Sequence, residues 1–305
     1  MVINMKKYYN KISFKSRLIN FLLRFSKSKH IFSDENETKR YIEKISLKKY
    51  KIPQKLGMKL EKIDGMTVYT YNGTIEKTKD KILLYIHGGS YIEEAISYQV
   101  KFAINIAKKT NSTLIMPIYT LAPKGNYKTM YESIDSLYKK INKKRINFLG
   151  DSAGGGFVLS YAMYLRNRNI NQPQNIIMMS PWLDVSMSNP ELKESEKKDA
   201  ISGIAGNKYA GKLWADKLNV KNYLVSPIYG NFNDLGKMTI ISGEKDILKP
   251  DCLKLSKILD AQTIKNNYIE YKGQGHDFGA YPTKEGKLLI NDIVEIINRG
   301  DIDEK

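Results

Sequence analysis

The residues best suited to covalent chemistry are Gly150-Asp151-Ser152-Ala153-Gly154. They follow a short apolar run, Ile146-Asn147-Phe148-Leu149, and precede a helix-permissive segment from Phe157 to Arg168. A strand, then G-x-S-x-G, then a helix is the pattern of a nucleophile elbow. Its tight turn strains the serine backbone, lifts Oγ clear of the sheet and aims the positive end of the helix at it. A serine hydroxyl is a poor nucleophile at neutral pH and needs a base within hydrogen-bond reach. The chain offers three histidines. His30 stands in a basic N-terminal region without a partner, and His87 precedes a glycine pair whose loop it is expected to brace. His276, in Gly273-Gln274-Gly275-His276-Asp277-Phe278, is left as the base. Asp246, in Gly243-Glu244-Lys245-Asp246, is the expected carboxylate on its other ring nitrogen, fixing the tautomer and stabilising the imidazolium. Asp184 and Asp277 are rivals, but Asp277 adjoins the histidine and is expected to struggle to reach its ring. An oxyanion needs backbone donors. Ala153 N–H is one, and the loop after His87 offers Gly88, Gly89 and Ser90.

Each of these groups has to be held by an element. Ile82–Ile86, Thr113–Tyr119, Ile146–Leu149, Ile176–Met179, Met238–Ile241 and Tyr268–Tyr271 read as strands. Helical spacings fall between them, at Val100–Lys108, Met130–Ile141, Asp251–Leu259 and Lys287–Asn298. Such alternation implies a mainly parallel sheet with helices on both faces. In such a sheet ligands bind beyond the carboxyl ends of the strands, where Ser152, His87, Asp246 and His276 all fall. Met58 to Tyr69 about Asp64-Gly65 suggests an antiparallel hairpin. Asp34–Lys49 reads as a charged helix with Ile42 and Ile45 on its apolar side. The polar stretch from Ser180-Pro181-Trp182 to Tyr229 has no strand signal, which predicts a helical cap insertion at 185–230. The division expected is 1–55 for N-terminal amphipathic cap helices and 56–305 for the catalytic domain.

With 305 residues, one large α/β domain is expected. The net charge of +18 invites a nucleic-acid reading, but the lysines are scattered and no aromatic-basic repeat occurs, so no nucleic-acid partner is expected. The lone Cys252 excludes an intramolecular disulfide and fits a reducing compartment. Residues 1–30 are basic, and Phe14, Leu18, Phe21, Leu22 and Phe25 fall on one helical face. The run is too short to span a membrane. It predicts either a cap helix over the active site or a helix lying on an anionic membrane surface. The expected location is cytoplasmic, with a peripheral position at the inner membrane surface as the second possibility.

His87-Gly88-Gly89, Tyr119-Thr120-Leu121-Ala122-Pro123, the elbow with Gly155, Ser180-Pro181-Trp182-Leu183-Asp184 and the Asp246/His276 pair together resemble the hormone-sensitive-lipase-like family of α/β-hydrolase serine esterases. The order Ser, Asp, His is that of the α/β-hydrolases. The resemblance covers about residues 80–280. It implies an α/β-hydrolase fold, with a mostly parallel eight-stranded sheet, helices on both faces and a small helical cap. It also implies ester hydrolysis with no metal or organic cofactor, by the triad Ser152, Asp246 and His276, with Gly89, Ser90 and Ala153 forming the oxyanion hole. Ser90 departs from the third glycine usual there, and Thr120 and Lys124 depart from the usual Arg and Glu. The expected substrates are small-molecule acyl esters, short- to medium-chain or acetyl. A membrane-surface lipase is the nearby alternative, and a non-catalytic ligand-binding hydrolase fold the distant one. Glu93 and Glu94 are expected to disfavour anionic acyl groups.

Overall fold

The computed structural model describes residues 5–45, 56–141 and 145–299. Nine strands occur in chain order: β1 (Met5–Tyr9), β2 (Lys59–Ile63), β3 (Met66–Tyr71), β4 (Lys81–Ile86), β5 (Thr113–Ile118), β6 (Arg145–Asp151), β7 (Asn175–Met179), β8 (Lys237–Gly243) and β9 (Asn266–Tyr271). They form one sheet in the order β1-β9-β8-β7-β6-β4-β5-β3-β2, antiparallel only at β2/β3 and β3/β5. The middle strands are apolar without alternation because both faces are covered. Along β4, Ile82, Leu84 and Ile86 enter one core cluster while Leu83 and Tyr85 enter the other. Asp64 and Gly65 both take positive φ, 46° and 85°, so the β2–β3 hairpin closes on the two-residue turn its sequence suggests.

The helices are α1 (Phe14–Leu23), α2 (Lys27–Ser33), α3 (Glu35–Ile45), α4 (Ser97–Lys109), α5 (Tyr127–Ile141), α6 (Ala153–Asn167), α7 (Leu192–Lys198), α8 (Ile204–Ala215), α9 (Lys249–Ala261) and α10 (Lys284–Arg299). Met130, Ile134, Leu137 and Ile141 of α5 are all buried, as their spacing requires. Helices α2, α3 and α8 pack on one another, so residues from the N-terminus and from the 185–230 stretch meet in one layer. The part of the charged helix read at residues 46–49 lies outside the described residues.

One N-terminal expectation is corrected and one open reading is narrowed. The sheet has nine strands where eight were expected, because Met5–Tyr9 pairs in parallel with β9, Met5 opposite Asn267 and Tyr9 opposite Tyr271. The signal was hidden because MKKYY has no apolar alternation. Its bonds are polar and aromatic instead. Asp292 accepts from Lys7 Nζ (2.6 Å) and Tyr9 Oη (2.8 Å), and the Tyr9 ring stacks on Tyr271 at 4.3 Å. The open reading concerns α1, whose exposed apolar face is not laid over the active site although Leu23 at its end borders the cavity. It is seated by its polar side: Ser13 Oγ and Ser16 Oγ donate to Glu285 (2.8 and 2.6 Å), and Asn20 Nδ2 donates to the Gly273 carbonyl (2.8 Å). The apolar side is left outside, with Phe14 80%, Phe25 74%, Phe21 58% and Leu22 57% exposed.

Candidate active site

Ser152 sits between β6 and α6 with φ 50° and ψ −118°, a backbone that a non-glycine residue adopts only when its surroundings fix it. Those surroundings are visible. Ser152 N–H donates to the Met179 carbonyl (2.9 Å), and its own carbonyl accepts from Trp182 and Gly156 N–H (2.8 and 3.1 Å). A Cβ on Gly150 would lie 2.3 Å from the Gly154 carbonyl oxygen, and one on Gly154 would lie 2.0 Å from that of Ile86. The turn therefore closes only with glycine at both positions.

His276 Nε2 stands 2.9 Å from Ser152 Oγ, and His276 Nδ1 stands 3.0 Å from Asp246 Oδ1. The loops carrying the pair are clipped together: Lys245 N–H donates to the Gln274 carbonyl (2.8 Å), and Gly273 N–H to Glu244 Oε2 (2.7 Å). Asp246 is fully buried and also accepts from Leu248 N–H (2.8 Å). Burial pushes its carboxyl up, but the His276 charge and the donors of His276, Ser180 and Leu248 bring it below the ordinary range. Burial alone would lower His276. The carboxylates of Asp277, Asp246 and Asp199 outweigh that and raise it well above an ordinary histidine.

The rival carboxylates are placed differently. Asp184 is committed elsewhere, accepting from Ser186 N–H and Oγ, Ser188 Oγ and Tyr229 Oη. Asp277 does reach the ring, contrary to expectation, but on the other nitrogen: its Oδ2 lies 3.4 Å from His276 Nε2. A left-handed backbone at Asp277, φ 53°, makes this reach possible.

His87 is fully buried, with its ring stacked on Tyr119 at 4.5 Å and Nδ1 2.7 Å from the Gly88 carbonyl. Burial lowers its pKa, so it stays neutral and braces the loop. Of the four expected oxyanion donors, Gly88 is removed from the set, because its N–H already donates to Asp151 Oδ2 (3.1 Å). Asp151 is in turn held by Gln99 Nε2 (2.6 Å) and Tyr85 Oη. The N–H groups of Gly89, Ser90 and Ala153 have no acceptor among the described residues. Ser90 Oγ donates to Asn207 Oδ1 of α8 (2.8 Å), which ties this loop to the cap layer.

Ser152, His276, Gly89, Ser90 and Asp277 border a cavity of about 240 Å³. Leu23, Phe32, Ile96, Ile201, Ala280 and Tyr281 give it apolar walls, and among the described residues no lysine or arginine lines it. Glu93, raised by burial, accepts from Tyr41 Oη (2.5 Å). Glu94 is pushed up to about 7 by burial. Among the described residues, no group of three or more His, Cys, Asp or Glu is placed to hold a metal ion.

Two functional residues escaped the sequence reading. Gln99 Nε2 donates to the same Asp151 Oδ2 that holds Gly88 N–H, locking the loop after β4. Asp199, from the loop before α8, accepts from Ile201 and Ser202 N–H (2.8 and 2.9 Å) and from Ile247 N–H (2.9 Å), fastening the cap to the residue after Asp246. The only local hint was an Asp three residues before Ser202, a turn pattern too common to single out.

Known proteins resemble this chain in sequence and fold. An esterase of Acinetobacter venetianus is 25% identical over 231 residues, which is 73% of this chain and 76% of that protein. An acetyl esterase of Salmonella schwarzengrund is 28% identical over 228 residues, 68% of each. A solved esterase from the bacterial hormone-sensitive lipase family superposes with a TM-score of 0.78 at 19% identity, over 95% of this chain and 99% of its own, a likeness of fold. The alpha/beta hydrolase fold family matches residues 83–280, the stretch that carries the elbow, the oxyanion loop and both partners of the serine. The chain belongs to the alpha/beta hydrolase fold family.

Proposed function

We propose that this protein is a serine carboxylesterase working through an acyl-enzyme. The observation that carries the reading is the line Ser152 Oγ, His276 Nε2, His276 Nδ1, Asp246 Oδ1, with steps of 2.9 and 3.0 Å at either side of the ring. Neutral His276 accepts the Ser152 proton as Oγ attacks the ester carbonyl. The oxyanion that forms is met by the unpaired N–H groups of Gly89, Ser90 and Ala153, each such donor contributing about 10²–10³-fold in rate. His276 then gives the proton to the leaving alcohol, and water repeats the sequence on the acyl-enzyme. The segment from Leu23 through α2 and α3 and the α8 layer of the 185–230 stretch supply the cap over this site.

A cavity of about 240 Å³ is small beside the usual ligand pocket of about 300–1,000 Å³, which favours acetyl and short acyl groups. Names carried by the relatives, esterase and acetyl esterase, support the same class. Glu93, Glu94 and Asp277 around a cavity without lysine or arginine disfavour acyl groups that end in a carboxylate.

The test joins a label to a substrate panel. A fluorophosphonate should modify Ser152 and no other serine, and Ser152→Ala should stay folded and lose ester hydrolysis. Among p-nitrophenyl esters, acetyl and butyryl should be turned over fastest, with long-chain and succinyl esters slowest. A labelled wild type that hydrolyses no ester would favour a ligand-binding hydrolase fold. Labelling elsewhere would overturn the site.

The exposed face of α1 favours a second reading, that the enzyme docks on anionic membranes. Among the described residues no helix is long and apolar enough to cross a bilayer. Phe14, Phe21, Leu22 and Phe25 nevertheless face solvent on a segment that carries eight basic and no acidic residues before Asp34. Leu23 and Ser26, from the same segment, border the cavity, so a surface-bound enzyme would present its site near the lipid.

A further inference from the structure

The ring of His276 is faced by a carboxylate at each nitrogen. Asp246 Oδ1 lies 3.0 Å from Nδ1, and Asp277 Oδ2 lies 3.4 Å from Nε2, the nitrogen that also faces Ser152 Oγ at 2.9 Å. Asp277 is held in this place by its left-handed backbone and by its N–H, which donates to Ser180 Oγ (3.2 Å). Its surroundings favour the protonated carboxyl, through burial and the neighbouring Asp151 carboxylate; among the described residues Oδ1 is buried without a donor and no lysine or arginine lines the cavity. The other groups facing the pair are carboxylates or neutral phenols. Asp246 comes from the loop after β8, Asp199 from the loop before α8, Asp151 from the end of β6, and Tyr85 and Tyr281 from β4 and the loop before α10. Among the described residues the cation that draws Asp277 toward its charged form is the imidazolium itself.

We propose that Asp277 is a second carboxylate of the catalytic machinery, holding the Nε2 proton of His276 from the substrate side while Asp246 holds the Nδ1 proton from behind. This rests on reading Ser152 and His276 as nucleophile and base. As Oγ bonds to the acyl carbon, its proton passes to Nε2, and the new N–H is shared between the leaving oxygen and Asp277 Oδ2. The bond from the acyl carbon to the leaving oxygen then breaks, its electron pair stays on that oxygen, and the oxygen takes the proton from Nε2. Asp277 gains and loses nothing over the cycle. It stabilises the charged ring at both tetrahedral stages, where the ring is charged, and it has a counter-effect at rest. The pair traps a proton that His276 must release before it can act as a base, so one carboxylate both supports turnover and moves the onset of activity to higher pH. Burial lowers His276 and Asp277 is the largest influence raising it, while burial and the neighbouring Asp151 and Asp246 push the Asp277 carboxyl itself well above its ordinary range and the imidazolium pulls it back, so the two groups compete for one proton.

Two variants test this. Asp277→Asn keeps the shape, and Asp277→Gly suits the left-handed backbone; thermal melts confirm that each is folded. The first readout, ring-¹⁵N NMR titration of His276 among only three histidines, needs no substrate. The second is the rate at which a fluorophosphonate labels Ser152 across pH. In both variants the ring should lose its proton at lower pH, and the ratio of labelling rates at about pH 6 and about pH 9 should rise by about tenfold. With an ester that the wild type hydrolyses, the alkaline kcat should fall several-fold at unchanged KM. A ring titration that stays in place in both variants overturns the role of Asp277. Failure of the fluorophosphonate to label wild-type Ser152 would instead overturn the nucleophile assignment, and the NMR titration would still decide Asp277.

Discussion

Aspartate has at least three uses in this site, and burial and partners separate them. Asp246 holds the imidazole, Asp151 the oxyanion loop, and Asp184 a turn of the 185–230 stretch. Asp246→Asn keeps the volume but favours the wrong tautomer of His276, and kcat should drop by about 10⁴-fold in a folded protein. Asp184→Asn should leave kcat near the wild-type value and lower the melting temperature, because donors of Ser186, Ser188 and Tyr229 lose a charged acceptor. Steady-state kinetics beside thermal melts of the two variants check this. The opposite pattern would mean that the carboxylates have been exchanged. In the wild type kcat/KM should rise with pH, since only the neutral ring accepts a proton. The rise should centre above the ordinary histidine range, because His276 is raised by its carboxylates.

At the scale of the element, the loop between β4 and α4 bears most on turnover. Ser90 has φ 51° there and borders the cavity, its N–H without an acceptor among the described residues, while its hydroxyl reaches Asn207. Ser90→Gly relieves the backbone but leaves Asn207 Oδ1 without that donor, so kcat should stay within a few-fold and stability should fall by about 1–3 kcal/mol. Ser90→Pro removes the N–H and demands φ near −65°, so hydrolysis should collapse even where the fold survives. Denaturant melts with p-nitrophenyl acetate kinetics separate the two effects. The elements themselves were largely legible. Buried parallel strands announce themselves as apolar runs, α5 by its spacing, and the elbow by glycines that the turn cannot do without. What stayed hidden depended on tertiary contact. No local pattern tells that Asp277 turns back toward the ring beside it, that Gly88 N–H is taken by Asp151, or that Lys7 and Tyr9 form a strand around Asp292.

For the molecule as a whole, α1 is amphipathic in the unusual sense that its polar stripe does the docking. Changing Leu18 and Leu22 together to Asp should therefore leave the fold and soluble-ester kinetics intact. Binding to vesicles containing phosphatidylglycerol should be abolished, and in the wild type salt should weaken that binding. Sedimentation of protein with neutral and anionic vesicles reads this directly. Equal binding to both, or none, would leave the exposed face for another partner. The seat of this segment also has a consequence in time. Met5–Tyr9 is made well before its partner strand Asn266–Tyr271 and its anchor Asp292, and α1 before its anchor Glu285. The segment from β1 to α1 therefore has nowhere to settle until the chain from Asn266 to Asp292 has been made. Through that interval a basic, phenylalanine-rich segment waits beside the ribosome, available to any surface that will take it.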